Sequence, residues 1–176
     1  QCYFDALEYC LFPNNIVRKL RKYSPLFICT RGESRVEKDC GVWISILFHK
    51  LRKRIHADVQ SLGLTGIQSR VIHYILEKHA HGPVYQRDVE GAFGVSRSTV
   101  TGILQQMEKD GLIQRESVAS DARLKSLIPT QKAIRLDAQV DECLHRVERC
   151  LTQGLSDAQL AAFMDAAAQM SVNLDG

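Results

Sequence analysis

Hydrophobic positions recur every three or four residues along most of this chain, the periodicity of helices with one buried face. Val42, Ile46, Leu47, Leu51, Ile55 and Val59 predict a first long helix over 42–61, with Lys50, Arg52, Lys53 and Arg54 on its solvated side. Ile67, Val71, Ile72, Ile75 and Leu76 predict a second over 64–78, with Thr65 as its N-cap. Val89 and Phe93 mark a short third helix. The clearest helix carries Val100, Ile103, Leu104 and Met107 as one stripe, with Ser96 as N-cap. Gly111 ends it in a left-handed conformation, and Leu112 folds back onto the last turn. Ile134, Leu136, Val140, Cys143, Leu144, Val147 and Leu151 predict a long helix over 130–153 that Gly154 stops. Ser156 caps a last one bearing Leu160, Phe163, Met164, Ala167, Met170 and Leu174. The helical period breaks between these blocks. Leu112–Val118 and Lys125–Ile128 read as two strands around a polar turn at Ala119–Ala122. The fold class is therefore mainly α with a small β hairpin.

The short helix and the striped helix are separated only by the tight Gly94-Val95 turn, so they read as a helix-turn-helix with the second as reader. Val89 and Phe93 are placed to pack on Val100 and Leu104. Arg97, Ser98, Thr99, Thr101 and Gln105 point away from the stripe; all are donors or mixed donor-acceptors, and none is acidic. They crowd the first turns, where the helix dipole attracts phosphate. Side chains of these types read base edges in a major groove. The hairpin carries Asp121, Arg123 and Lys125, and a basic hairpin beside a reading helix is a wing. Arg123 suits a narrow minor groove and Lys125 a phosphate, while Asp121 is expected to orient a wing arginine or Arg115. The expected partner is double-stranded DNA.

These residues also carry a resemblance. FGVSRSTVTGILQQMEKDGLIQR, then D-A-R-L-K in the wing, then Thr130 opening the next helix, is similar to the MarR family of bacterial winged-helix transcription regulators. The similarity reaches upstream through GLTGIQSRVIHYIL and covers roughly 41–173. It implies a winged helix-turn-helix over 62–129 and dimerisation helices over 41–61 and 130–174, preceded by an extension over 1–40. It also implies a homodimeric, ligand-responsive repressor on a pseudo-palindromic operator. A small-molecule effector would lie between the dimer helices and the DNA-binding lobe, with Ile55, His56, Val59, Gln68 and His73 as candidate contacts. Cys40 stands near the place where peroxide-sensing relatives keep a reactive thiol, which makes a redox-sensing regulator one alternative. A winged helix used to bind protein is the other. The chain departs from the family at Pro129, where leucine is usual, at Ala133, where glycine is usual, and at Gly102. The last removes a possible DNA contact from the reader.

Composition narrows the field further. With 176 residues, 45 % hydrophobic and 24 % charged, the chain suits one ordinary domain with a sizeable core. A net charge of +3 supplies no basic tail, so the placement of cations must carry any DNA binding. Glu108 and Asp110 fall at the far end of the reader. Six cysteines without a C-x-x-C pair, and no secretory leader, point to a reduced cytoplasm. Cys143 and Cys150, two turns apart, are expected in the core. The six histidines lack H-x-x-x-H spacing, so neither metal nor cofactor is expected. No phosphate loop or nucleophile elbow is present, and an enzyme is not the reading. No apolar run approaches a membrane span.

Overall fold

The computed structural model describes residues 39–118 and 121–175, with residues 118 and 121–124 given by backbone alone. The expected extension therefore lies outside the described residues except for Asp39 and Cys40. The elements in order are α1 (Cys40–Ser61), α2 (Gly66–His79), α3 (Gln86–Phe93), α4 (Arg97–Lys109), β1 (Ile113–Val118), β2 (Asp121–Pro129), α5 (Gln131–Thr152) and α6 (Asp157–Asp175).

Local chemistry sets the helix starts. Thr65 Oγ1 accepts from the Gln68 amide at 3.3 Å while Gln68 Oε1 accepts from the Thr65 amide at 2.9 Å, a reciprocal box that satisfies two otherwise unpaired groups. Asp88 reaches back to the Tyr85 amide at 2.8 Å to open α3. Ser156 and Gln159 form the same box at the start of α6. Gly94 (φ +58°) lets the chain reverse between α3 and α4, in the left-handed region that side chains with a Cβ resist.

The core is continuous through α1 to α5. Ile55 and Val59 meet Val71, Ile72 and Ile75 of α2, and the cluster continues through Val89, Phe93, Val100, Leu104 and Met107 into Leu112, Ile113 and Leu127. Ala133, Val140, Leu144 and Val147 of α5 close it. Each fully buried aliphatic contributes about 1.5–3 kcal/mol, so this cluster is what orients α4. Ala133 is completely buried in the first turn of α5, where a methyl fits the space.

The hairpin differs from expectation. The returning strand begins at Asp121, not Lys125, so Ala119 and Ser120 alone separate the two strands. The ladder runs from Ile113↔Pro129 to Ser117↔Lys125, then jumps to Val118↔Asp121. Backbone groups make this pairing, so the polar 121–123 stretch joins the strand without any alternating apolar pattern. Val84 and Tyr85 flank the same strand: Leu127 donates to the Val84 carbonyl at 2.8 Å and Tyr85 bridges Ser126.

The ends of the fold carry the other differences. The apolar face of α1 is buried only at Ile55 and Val59, whereas Trp43, Ile44 and Leu47 are exposed. α6 buries no residue at all, and Phe163 and Met164 are 56 % and 57 % exposed. Nothing described in one chain covers these faces. Cys143 is in the core as expected, but Cys150 is exposed, because α5 has passed the packed body by its last turns, where Leu151 is exposed too.

Candidate nucleic-acid interface

α4 is held by its apolar stripe and presents the opposite side outward. Val100, Leu104 and Met107 are completely buried. Arg97, Ser98, Thr99, Gly102, Gln105 and Lys109 are exposed. At the start of the helix, Ser96 Oγ accepts from the Thr99 amide at 3.3 Å and lies 3.0 Å from Ser98 Oγ and 2.9 Å from Thr99 Oγ1. Three hydroxyls and the cation of Arg97 thus gather where backbone amides point outward, an arrangement suited to a phosphate oxygen. No acidic residue stands in that first turn.

Thr101 differs from its neighbours on this face. It is half-buried, and its hydroxyl donates to the Arg97 carbonyl at 2.8 Å while accepting from Gln86 Nε2 at 2.9 Å. Its polar atom is engaged within the protein. Gln86 itself was not singled out in the sequence, because its partners on α4 are eleven and fifteen residues away. Lys109 was also missed; it sits one turn beyond Gln105 and could have been found by extending the exposed face to the helix end.

The far end of α4 is anchored. Gln68, though only 7 % exposed, donates from Nε2 to Asp110 Oδ2 at 3.0 Å. Lys132 donates to the Asp110 carbonyl at 2.7 Å, and Thr130 Oγ1 donates to the Gly111 carbonyl at 2.8 Å. Gly111 is left-handed (φ +70°), and the Leu112 amide folds back to the Met107 carbonyl at 2.8 Å.

On the wing, Lys125 is exposed on β2. Asp121 and Arg123 lie in that strand, and their side chains fall outside the description. Arg115 is paired with Glu108 across 3.3 Å, which sets its cation against the reader's last turns.

The expected effector contacts differ in burial and in their partners. Ile55 and Val59 are core residues, and His56 is exposed on the other side of α1. Gln68 is engaged by Thr65 and Asp110. His73 Nδ1 lies 3.3 Å from both carboxylate oxygens of Asp137, tying α2 to α5. Burial pulls the pKa of His73 down, but the Asp137 hydrogen bond and charge, with Asp141 and Glu77, outweigh it, and the net shift is upward. Cys40 is exposed as the first residue of α1. Among the described residues no group of three or more His, Cys, Asp or Glu is placed to hold a metal ion.

Residues 62–124, the stretch from before α2 to the wing, match the MarR family. A solved structure from Clostridium acetobutylicum, assigned to the MarR family of transcriptional regulators, is 26 % identical with a TM-score of 0.67, covering 76 % of this chain and 96 % of that one. The transcription regulator MarR from Oenococcus oeni PSU-1 is 29 % identical with a TM-score of 0.51, covering 75 % and 98 %. The sequence match covers part of the chain, and the fold is that of the MarR family. Its members are transcription regulators, not enzymes. In this MarR-like fold α3 and α4 are the helix-turn-helix and β1–β2 the wing. A variant of Staphylococcus aureus MepR bound to an oligodeoxyribonucleotide shares the fold at 21 % identity, with a TM-score of 0.65 over 77 % of this chain and 98 % of that one. No helix among the described residues is long and apolar enough to cross a membrane.

Proposed function

We propose that this MarR-like protein is a homodimeric, sequence-specific binder of double-stranded DNA that represses transcription and responds to a small molecule. The observation that carries the reading is the outward face of α4, rich in donors, free of acid in its first turn and flanked by the wing. Arg97, Ser98, Thr99 and Gln105 face the major groove, Arg123 enters the minor groove and Lys125 meets phosphate. The solved MepR complex with an oligodeoxyribonucleotide supports this use of the fold. The place of action is then the chromosome, in the cytoplasm.

Two considerations support a second copy. One reader contacts too few bases for specificity, and a two-fold dimer spans half-sites about 34 Å apart. α6 and the first turns of α1 carry Trp43, Ile44, Phe163, Met164 and Val172 uncovered, apolar surface of a kind that often marks an interface. An effector acts at the junction of α1, α2 and α5, near His73, by favouring one spacing of the two readers.

Duplex binding by the full chain, measured against salt, tests the reading. A Kd that weakens steeply as salt rises, with a pseudo-palindromic footprint, is expected. Arg123→Ala should weaken binding by about 1–3 kcal/mol, the value of one specific contact. No duplex affinity at low salt would leave the winged helix as a protein-binding module instead.

A further inference from the structure

Thr101 occupies the middle of the reader, one turn after Arg97 and one turn before Gln105, both of which are exposed. Its side chain has two things to offer a base edge, a hydroxyl and a methyl. The hydroxyl is committed inward, and the direction of each bond can be settled.

Gln86, the first residue of α3, places its side-chain amide 2.9 Å from Glu90 Oε1, 3.4 Å from the Arg97 carbonyl and 2.9 Å from Thr101 Oγ1. A carboxylate and a carbonyl only accept, so the NH2 end of Gln86 must face them. That leaves Thr101 Oγ1 as an acceptor from Gln86. Its single proton then goes to the Arg97 carbonyl at 2.8 Å, another group that only accepts. Turning the hydroxyl toward DNA would break both of these bonds, the one to the Arg97 carbonyl and the one from Gln86.

We infer that Thr101 is a specificity-determining residue that recognises the C5-methyl group of a thymine through its own methyl, not through its hydroxyl. Thymine is the only standard base that offers an apolar group in the major groove, and a threonine methyl is a suitable contact for it. Gln86 and Glu90 act as positioning residues, keeping the hydroxyl turned away. The inference rests on the DNA-binding reading above.

The test selects a duplex for the full chain from a random library, then replaces each thymine singly with deoxyuridine, which removes only the methyl. The wild type should lose about fourfold in affinity at one thymine of each half-site, the worth of one buried methyl. Thr101→Val keeps the methyl and should keep that ratio. Thr101→Ser keeps the hydroxyl and should bring the ratio to about one. Retention of uracil sensitivity in the serine variant, or its loss in the valine variant, would overturn the inference. So would a wild type indifferent to every uracil in a duplex that it binds in a salt-dependent way, and the DNA-binding reading would survive that result. If no duplex is enriched and none binds at low salt, that reading fails and the inference goes with it.

Discussion

Gln68 Nε2 donates to Asp110 Oδ2 at 3.0 Å, joining the first turn of α2 to the residue that ends α4. The contact spans 42 positions of sequence, and its donor is buried. The same carboxylate accepts from Gln106 at 2.8 Å, and the carbonyl of Asp110 accepts from Lys132 at 2.7 Å. The reader is therefore held at its distal end by polar bonds and along its length by the core. Asp110→Ala would leave a buried amide donor unsatisfied, which costs about 1–3 kcal/mol. Urea unfolding should show a lower midpoint with an unchanged slope. Operator affinity should also fall, although Asp110 lies away from the proposed DNA face, because the tilt of α4 is less constrained. An unchanged midpoint would mean that the core alone sets that tilt.

Gly102 is exposed in the middle of α4, and a Cβ built there meets nothing within 4 Å. Gly102→Ala should stabilise the protein by about 0.5–1 kcal/mol, since alanine loses less backbone entropy in a helix. Gly102→Lys should add a cation to the groove face. The slope of log affinity against log salt should then steepen by roughly one unit, the signature of one more phosphate contact. A lysine variant with the parental slope would place position 102 off the DNA.

His73 and Asp137 tie the DNA-binding lobe to α5, and the folded state holds the His73 proton more tightly than the unfolded chain does. The stabilisation is therefore complete below the ordinary histidine value of 6.5 and is lost as pH rises through the higher folded value. Urea midpoints taken at about pH 6 and pH 8 should differ in the wild type, with the lower pH more stable. His73→Gln and Asp137→Asn should each reduce that difference. Equal pH dependence in all three proteins would assign the effect to other groups.

The parts of this fold written locally are legible in the sequence, and the parts made by distant partners are not. The reader from Ser96 to Gly111 is one of the former, because its cap, its stripe and its left-handed glycine all lie within one short segment. The start of β2 is one of the latter: Asp121 joins the strand through backbone pairing that leaves no mark on side-chain pattern. Thr101 belongs with it, since its hydroxyl is engaged by Gln86, fifteen positions earlier in the chain. Gln68 stands in the sequence as a candidate effector contact, and its bond to Asp110 joins positions 42 residues apart. For α6, periodicity marks an apolar face but cannot say whether the same chain or another covers it.

Phe163 sits at the centre of that last question. Its ring is 56 % exposed on a helix with no buried residue, so within one chain it contributes little to stability. Phe163→Glu should therefore leave the unfolding of the isolated domain nearly unchanged if the face is simply solvated. If a second copy covers it, a carboxylate must be desolvated without a partner, which costs several kcal/mol at the interface. Light scattering should then report a monomer where the wild type is a dimer, and operator affinity should fall by orders of magnitude because two half-sites are no longer read together. The salt-dependent affinity of a single reader for duplex should remain. A variant that stays dimeric and binds operator normally would remove α6 from the interface.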